Sequence, residues 1–520
     1  MVILKNVSKS FGEYPVLCNV NLVIAGHKKV ALVGPNGSGK STLLKIAAKI
    51  LEPDEGKVET STEAKISYFP QEIPKETQDK TAIELLAESM GASRDKVAGT
   101  FGILCKKLRF PLAKIDLPVA SLSGGEKSKL MLMIILKSSA DIFLLDEPTN
   151  NLDLLGLLVL ESFIAKSSRG FLIVSHDRKF LDKLVNEVVE INEEAHNLEI
   201  YTSCSYSQYL IERTKKERKE LKDYEIYERE QRRLLETAQR KNQEAMAMAR
   251  GPKQRRDNDK YIVGFKKDRS KKIASQSSVL EKRAKKIEEV KRPKFHLPLN
   301  LSFGFLERGG DIVFRLTGVE LECSRLHFGP VDLEIHFGDR VAVIGPNGEG
   351  KSTLLKMLIG EIKPAKGIIQ IGSRVKIGYL PQETLFKEGD TVLSYFLRIA
   401  NKEQSDGRKI LARFGFAADD VKQNIRYLSQ GERSRLVLAT LMAQEINCLI
   451  LDEPTNHLDP EALDRLEYAL QNFSGTILIV SHDRYLLDKI KINKTYLMES
   501  GKISLLQDYH EYEKRIILEK

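Results

Sequence analysis

Apolar residues recur along this chain in three rhythms. Near the N-terminus Val2 and Leu4, then Val16, Leu22 and Ile24, stand among polar neighbours with the two-residue period of a half-buried strand. Short unbroken apolar runs follow at Val30–Val33, 142–145 and 171–174. Runs of that length bounded by turn residues predict strands buried on both faces, as in a parallel sheet covered by helices. The same runs return at 340–344, 448–451 and 477–480. Between the two sets, Leu210, Leu221, Tyr224, Leu235, Ala238 and Ala245 fall at heptad-like spacing on a charged background. Ile273, Leu280, Ala284 and Ile287 resume that spacing after a break at Gly251-Pro252. The pattern predicts two antiparallel helices of about 40 and about 20 residues. The expected architecture is α/β, with tandem domains over residues 1–203 and 301–520 and a helical-hairpin, coiled-coil linker over 204–300.

The strand Val30–Val33 runs into Gly34-Pro35-Asn36-Gly37-Ser38-Gly39-Lys40-Ser41, with Thr42 next and a helix expected over Ser41–Lys49. This is the P-loop pattern at each fixed position. Glycines let backbone N–H groups approach phosphate oxygens, and a helix N-terminus offers unpaired donors and positive dipole charge. A lysine there reaches the outer phosphates, and the serine hydroxyl suits Mg²⁺. A glycine turn can simply link a strand to a helix, but both flanking elements of the P-loop context are present. The apparatus returns at Gly345-Pro346-Asn347-Gly348-Glu349-Gly350-Lys351-Ser352, followed by Thr353.

Lys40 and Lys351 are 311 residues apart, as are Gln71 and Gln382. Asp146 and Asp452 are 306 apart, as are His176 and His482. Such constant register marks an internal duplication. In each copy a second apolar strand ends in acids, IFLLDEPTNNLD at 142–153 and CLILDEPTNHLD at 448–459. Acids at the carboxyl end of a buried strand, beside the P-loop strand, are placed to hold a metal and polarise water. Alone they would read as helix caps. Asp146 and Asp452 are the expected metal groups, and Glu147 and Glu453 the expected water-polarising groups. FLIVSHD and ILIVSHD place His176 and His482 to sense a γ-phosphate. SLSGGEKSKL and YLSQGERSRL are Ser-Gly loops that open helices, at once N-caps and backbone nests for phosphate.

The bulk numbers narrow the setting. A chain of 520 residues, 42 % hydrophobic, exceeds what one core can hold. Its longest apolar stretch, 130–145, is broken by Lys137 and Asp141, short of a membrane span. The opening MVILKNVSKSFG lacks the core of a signal peptide. Five cysteines, Cys18, Cys105, Cys204, Cys323 and Cys448, have no metal-ligand spacing and read as buried thiols in a reducing, cytoplasmic setting.

Charge is unevenly placed. Residues 211–292 carry 27 Lys and Arg against 15 Asp and Glu, while the whole chain is only +10. The excess concentrates at 240–272, with 12 basic residues against four acids, and Tyr261 and Phe265 among them. Residues 211–236, nearly balanced, read as a solvated helix face. A basic tip with aromatics suits phosphate backbones and unstacked bases better than a membrane surface, which needs a continuous apolar face.

P-loop, glutamine loop, LSGGE-type signature, LDEP and SHD, in that order and twice over, resemble the ATP-binding cassette (ABC) ATPases. The resemblance covers about residues 1–203 and 312–520. EPTNHLD in the second copy and the long charged linker are similar to the ABC-F subfamily, twin-cassette ATPases that act on the ribosome. The resemblance implies a head-to-tail sandwich within one monomeric chain, binding two ATP with Mg²⁺. One site would join Lys40, Ser41, Gln71, Asp146, Glu147 and His176 to Ser429, Gln430 and Gly431. The other would join Lys351, Ser352, Gln382, Asp452, Glu453 and His482 to Ser123, Gly124 and Gly125. Ser41, Gln71 and Asp146, and likewise Ser352, Gln382 and Asp452, would hold Mg²⁺. It further implies binding near the tRNA exit site, with the linker on P-site tRNA and rRNA near the peptidyl-transferase centre, modulating translation or displacing antibiotics. The ATPase subunit of an importer is the competing reading, and it has no use for a basic helical connector.

Three positions depart from the family pattern. Asn151 stands where EPTNHLD has His457, and Gln430 replaces the middle signature glycine. Phe11 suits adenine stacking in the first copy, whereas Cys323 aligns near it in the second, with His327 and Phe328 as substitutes.

Overall fold

The computed structural model describes residues 1–61, 64–192, 195–249, 260–286, 308–323, 326–382, 386, 389–417, 419–455, 458 and 460–518. They divide into two compact units, residues 1–207 with 298–520, and residues 208–297.

In the first cassette the elements are β1 (Val2–Phe11), β2 (Tyr14–Ile24), β3 (Lys29–Val33), α1 (Lys40–Ala47), β4 (Glu55–Thr60), β5 (Ile66–Phe69), α2 (Ala82–Met90), α3 (Arg94–Leu108), α4 (Gly124–Lys137), β6 (Ile142–Asp146), α5 (Leu154–Lys166), β7 (Gly170–Val174), α6 (Arg178–Leu184), β8 (Glu187–Ile191) and β9 (Leu198–Thr202). The connector holds α7 (Tyr206–Ala249) and α8 (Lys260–Lys286). The second cassette repeats the plan with β10 (Ile312–Cys323), β11 (Leu326–His336), β12 (Arg340–Ile344), α9 (Lys351–Leu358), β13 (Lys366–Ile371), β14 (Ile377–Leu380), α10 (Val392–Ala400), α11 (Gln404–Arg413), α12 (Gln430–Ala443), β15 (Cys448–Asp452), α13 (Pro460–Gln471), β16 (Thr476–Val480), α14 (Arg484–Lys489), β17 (Lys494–Glu499), β18 (Lys502–Leu506) and α15 (Tyr509–Leu518).

Each cassette has a six-stranded sheet, ordered β5-β6-β7-β3-β8-β9 and β14-β15-β16-β12-β17-β18, and a three-stranded sheet, β2-β1-β4 and β11-β10-β13. The large sheets are parallel except for the last pair, β8 with β9 and β17 with β18. The buried apolar runs are the central strands, as their composition requires: every residue of β6, β7, β15 and β16 is buried. One expectation needs correcting. The acid-ending strands are not beside the P-loop strands. β7 lies between β6 and β3, and β16 between β15 and β12. These strands are buried on both faces and alike in length and composition, so their order is a long-range choice that local pattern leaves open.

Val2 and Leu4 of β1, Val30 and Leu32 of β3, and Leu43, Leu44 and Ile46 of α1 share one core. Val313 and Phe314, Val341 and Val343, and Leu354 and Leu355 do the same in the second cassette. The P-loop is therefore gripped at both ends by core elements. Truncating Leu43 would cost about 2–5 kcal/mol and loosen the loop's helical end.

In the connector α7 spans 44 residues and α8 spans 27. α8 starts at Lys260, earlier than the apolar spacing implied, so Tyr261 and Phe265 lie on a helix. After Pro252 this segment has no proline, and the isolated Gly264 costs a helix only about 1 kcal/mol. Residues 250–259, with Gly251 and Pro252, and residue 287 lie outside the described residues. The seam also differs. Leu235 is 40 % exposed, while Leu234, Gln231, Tyr227 and Tyr224 are half-buried and Ala238 and Ala245 buried, at alternating spacings of three, four and seven. Its partners on α8 are small. Ser277 Oγ donates to the Ala238 carbonyl at 2.7 Å, and Ser270 Oγ to the Ala245 carbonyl at 2.8 Å. Seven residues separate the members of each set, so small side chains let the helices approach closely over two turns.

Candidate active sites

Both P-loops are built alike. Gly34, Gly37 and Gly39 have φ of 152°, 84° and 98°, and Gly345, Gly348 and Gly350 have 144°, 88° and 94°. Gly345 also sits where a Cβ would come within 2.0 Å of the Met498 carbonyl oxygen, so no side chain is possible there. Gly39 and Gly350 cap α1 and α9 without a side-chain hydrogen bond, which leaves these helix N-termini able to receive an anion. Lys40 Nζ donates to the carbonyls of Gly34 and Pro35 at 2.8 and 2.7 Å, and Lys351 Nζ to those of Gly345 and Pro346 at 2.8 and 2.9 Å. Both ammonium groups are thus folded over the loop that would cradle phosphate. Burial holds Lys351 below the ordinary lysine range.

Asp146 and Asp452 end their strands buried. Tyr68 OH donates to Asp146 Oδ2 at 3.2 Å. Asp452 Oδ1 has no hydrogen-bond partner among the described residues, and burial raises its pKa. The next residues, Glu147 and Glu453, adopt left-handed backbone, φ 50° and 48°. For a non-glycine residue that costs about 1–3 kcal/mol, and such strain concentrates at functional sites. The conformation is held from the neighbouring strand. Glu147 N–H donates to the Val174 carbonyl at 2.9 Å and Glu453 N–H to that of Val480 at 2.8 Å. The carboxylates turn toward the histidines: His176 N–H donates to Glu147 Oε2 at 3.2 Å, and His482 N–H to Glu453 Oε2 at 3.4 Å. The imidazole Nε2 atoms lie 3.2 and 3.5 Å from the same carboxylates. Burial pushes Glu453 up to about 7 and His482 down to about 3, so that imidazole is neutral at physiological pH.

Ser123 and Ser429 cap α4 and α12 through reciprocal bonds with Glu126 and Glu432, so these loops are helix caps as well as glycine nests. A cleft of about 760 Å³ brings Ser123, Gly124 and Gly125 of the first cassette opposite Gly348, Gly350, Lys351, Ser352, Thr353, Gln382, Asp452, Glu453 and His482 of the second. At the other P-loop the pocket is small, about 20 Å³, and joins Gly34, Lys40, Glu147 and His176 to Leu463. Ser429 and Gly431 do not line it, nor do Gln71 and Asp146. Residues 456, 457 and 459, His457 among them, and the side chain of Gln430 lie outside the described residues.

Phe11, 52 % exposed with Lys9 Nζ 5.9 Å from its ring, is placed to meet a planar ligand. Phe328 is not. It is 1 % exposed within the second cassette's core, opposite Leu321, and drops out as a stacking residue because β11 turns it inward. The side chain of His327 lies outside the described residues.

The cleft also holds contacts that the motifs do not state, and two residues, Lys129 and Asp153, outside the sequence-predicted site. Asn347 of the second P-loop donates through Nδ2 to the Asn151 carbonyl at 2.9 Å, and Asp153 Oδ2 lies 3.5 Å from its backbone nitrogen. Asn151 has φ 57°, a left-handed position that asparagine adopts more readily than most residues. Lys129 pairs with Asp153 at 2.8 Å, both nearly fully buried, and ties α4 to the N-cap of α5. The usable signal was Lys129 itself, a charge set where α4 turns apolar.

The family model for ABC transporter matches residues 17–150 and 328–456. The chain is 33 % identical to the Bacillus subtilis ATP-binding protein YdiF over 97 % of its own length and 81 % of that protein's. It is 31 % identical to the ATP-binding protein Uup of Buchnera aphidicola, covering 100 % and 84 %, and 30 % identical to ABC transporter F family member 5 of Arabidopsis thaliana, covering 97 % and 75 %. Among solved structures it is similar to RNase-L Inhibitor, with a TM-score of 0.65 at 20 % identity over 99 % of this chain and 92 % of the other, which shows the shared twin-cassette fold. The same fold appears in the archaeal ABCE1 of a ribosome-bound Pelota and ABCE1 assembly, with a TM-score of 0.61 at 19 % identity over 99 % and 80 %. The duplicated P-loops and the composite cleft at Lys351 thus belong to an ATP-hydrolysing member of the ABC family, in its ABC-F branch.

Proposed function

We propose that this ATPase closes its cassettes on ATP while bound to the ribosome and leaves after hydrolysis. The observation that carries the nucleotide half of this reading is the cleft at Lys351, where one cassette's signature faces the other's P-loop. Backbone N–H groups of 36–41 and 347–352 receive the phosphates, and Lys40 and Lys351 swing from the loop carbonyls of Gly34 and Pro35, and of Gly345 and Pro346, to the outer phosphates. Thr42 and Thr353 stand one position further into the same helices, beside those donors. Ser38 and Glu349 sit at the crown of each loop, and Ser38 Oγ is buried with no hydrogen-bond partner among the described residues. Ser123, Gly124 and Gly125 complete the site across the cleft. Ser429, Gln430 and Gly431 do the same at Lys40 once that side closes further. Phe11 stacks on the adenine of the first site.

The donor set fits Mg²⁺. Ser352 bonds to Asp452, and among the described residues Asp452 Oδ1 has no hydrogen-bond partner and no cluster of three His, Cys, Asp or Glu forms a cage. A hard ion that keeps waters and rests on few protein ligands and on phosphates suits such a place. Ser41, Gln71 and Asp146, with Ser352, Gln382 and Asp452, would hold it directly or through water. Once bound, the ion neutralises charge on the outer phosphates. Glu147 and Glu453 orient and polarise the attacking water, and His176 and His482 fix those carboxylates while sensing the γ-phosphate. Hydrolysis removes the group both cassettes share, so they part.

The connector supplies the ribosomal half. Twelve basic residues against four acids over 240–272, with Tyr261 and Phe265, suit rRNA and P-site tRNA near the peptidyl-transferase centre, reached from the tRNA exit site. Such contacts modulate translation or displace antibiotics, and the protein acts in the cytoplasm as a monomer. Among the described residues no helix is long and apolar enough to cross a membrane. Changing Lys253, Arg255 and Arg256 to glutamine tests this half. Ribosome affinity should fall and its salt dependence flatten by about three phosphate contacts, with basal ATP hydrolysis retained. Unchanged affinity would refute the assignment.

A further inference from the structure

The two cassettes meet at a buried charge network beside the nucleotide sites, with Arg178 lining the pocket at Lys40 and Asp177 and Asp483 lining the cleft at Lys351. Arg178, two residues past His176, extends Nη2 to Asp464 Oδ1 at 2.7 Å and Nη1 to Glu467 Oε2 at 3.7 Å on α13 of the second cassette. Its guanidinium also lies 5.1 Å from the ring centre of Tyr485. Arg484, two residues past His482, reaches back to Glu161 on α5 of the first cassette. An offset of 306 relates Arg178 to Arg484 and Glu161 to Glu467, so the contacts are exchanged by the internal symmetry. Arg178, Arg484, Glu161 and Glu467 are all buried. The two arms touch: Arg484 Nη2 is 3.9 Å from Asp177 Oδ2, beside Arg178 in the chain. Lys183 at 2.6 Å from Glu161, and Glu513 at 3.2 Å from Arg484, complete the cluster.

The placement couples each arm to a nucleotide site. Asp177 and Asp483 cap α6 and α14, which fixes each arginine rigidly to the preceding histidine. Glu161 stands on the helix whose N-cap, Asp153, faces Asn347 of the second P-loop. α5 is therefore held to the second cassette at two points, eight residues or about 12 Å apart along its axis. Partial opening at one site would pull a buried Arg from a buried Glu and leave both charges under-compensated, a costly arrangement for buried ions. Fully closed and fully open states avoid it.

We propose that Arg178–Glu467 and Arg484–Glu161 form a reciprocal latch that makes the two nucleotide sites close and open together. These are positioning residues, and the inference rests on the assignment of both sites above. The test is steady-state hydrolysis by the full chain as ATP is varied, with Glu453→Gln used to silence one site. With the latch intact, hydrolysis should depend on ATP with a Hill coefficient well above 1, and Glu453→Gln should drop turnover far below half. Adding Glu161→Gln, Asp464→Asn and Glu467→Gln, which removes both of Arg178's partners on α13, should bring the coefficient to about 1 and restore about half of the two-site rate in the silenced chain. If those variants do not fold, as judged by the loss of a cooperative thermal transition, Arg178→Glu with Glu467→Arg and Asp464→Asn keeps a pair without a like-charge contact and should restore both folding and coupling. A folded latch variant with unchanged coefficient and unchanged silencing overturns the latch, and so does a folded charge-swap pair without coupling. An unmodified chain that hydrolyses no ATP would instead overturn the site assignment beneath it.

Discussion

The side-chain amide of Asn347, on the second P-loop, donates to the backbone carbonyl of Asn151 in the first cassette at 2.9 Å. A loop built to hold phosphate is thereby held in turn by the cassette that faces it. Removing the amide should loosen that seal. Asn347→Ala is expected to lower apparent ATP affinity about five-fold, the worth of roughly 1 kcal/mol, with the thermal midpoint unchanged. Hydrolysis measured against ATP concentration in a Glu147→Gln background, where turnover comes from the second site, reads this out.

Gly125 gives a sharper test, because stability and activity should move apart. A Cβ there would lie 2.7 Å from Asn347 Nδ2, yet Gly125 is in the first turn of α4 with ordinary helical backbone. Gly125→Val should therefore leave the fold as stable or slightly more so, since glycine in a helix costs about 1 kcal/mol. It should cut ATP turnover at the second site by about tenfold or more by blocking approach. Thermal melts and hydrolysis rates on one preparation separate the two effects.

The glutamates should behave as chemistry groups. Glu147→Gln or Glu453→Gln keeps size while removing the base, and should lower kcat at its own site by about 10²–10⁴-fold with little change in nucleotide affinity. Equal losses of kcat and binding would recast them as structural.

In the connector, the Ala238–Ser277 contact predicts intolerance of bulk. Ala238→Leu should push the helices apart at a cost of about 1–3 kcal/mol and speed proteolytic cutting within 208–297, while ATP hydrolysis persists. Unchanged protease resistance would contradict the close seam.

Burial pushes the Cys448 thiol up to about 12 and Cys105 up to about 11. Because the thiolate is the nucleophile, both should be nearly inert to a disulfide reagent at pH 8 in the folded protein. Their rates should rise with pH and jump on unfolding, while half-buried Cys18 reacts sooner.

Much of this was legible in the chain because function repeats itself. The P-loops, acids and histidines recur at fixed offsets, and each sits where a strand ends, so local pattern locates them. What stayed hidden depends on long-range packing. Nothing local in IFLLD or GFLIV states that β7 pairs between β6 and β3. The serine seam of α8 looked polar, and the register of the apolar residues misplaced Leu235. Glu161 within LLGLLVLESFIAK was the most readable clue left unused. A charge inside an apolar helix demands a partner, and its counterpart at Glu467 pointed to a symmetric one.

Ribosome binding is decided by sedimenting the Glu147→Gln, Glu453→Gln chain with ribosomes in ATP. This chain, able to close but unable to hydrolyse, should migrate with ribosomes and stay there, whereas the unmodified chain is released. Migration of the double variant at the top of the gradient, away from ribosomes, would contradict that binding.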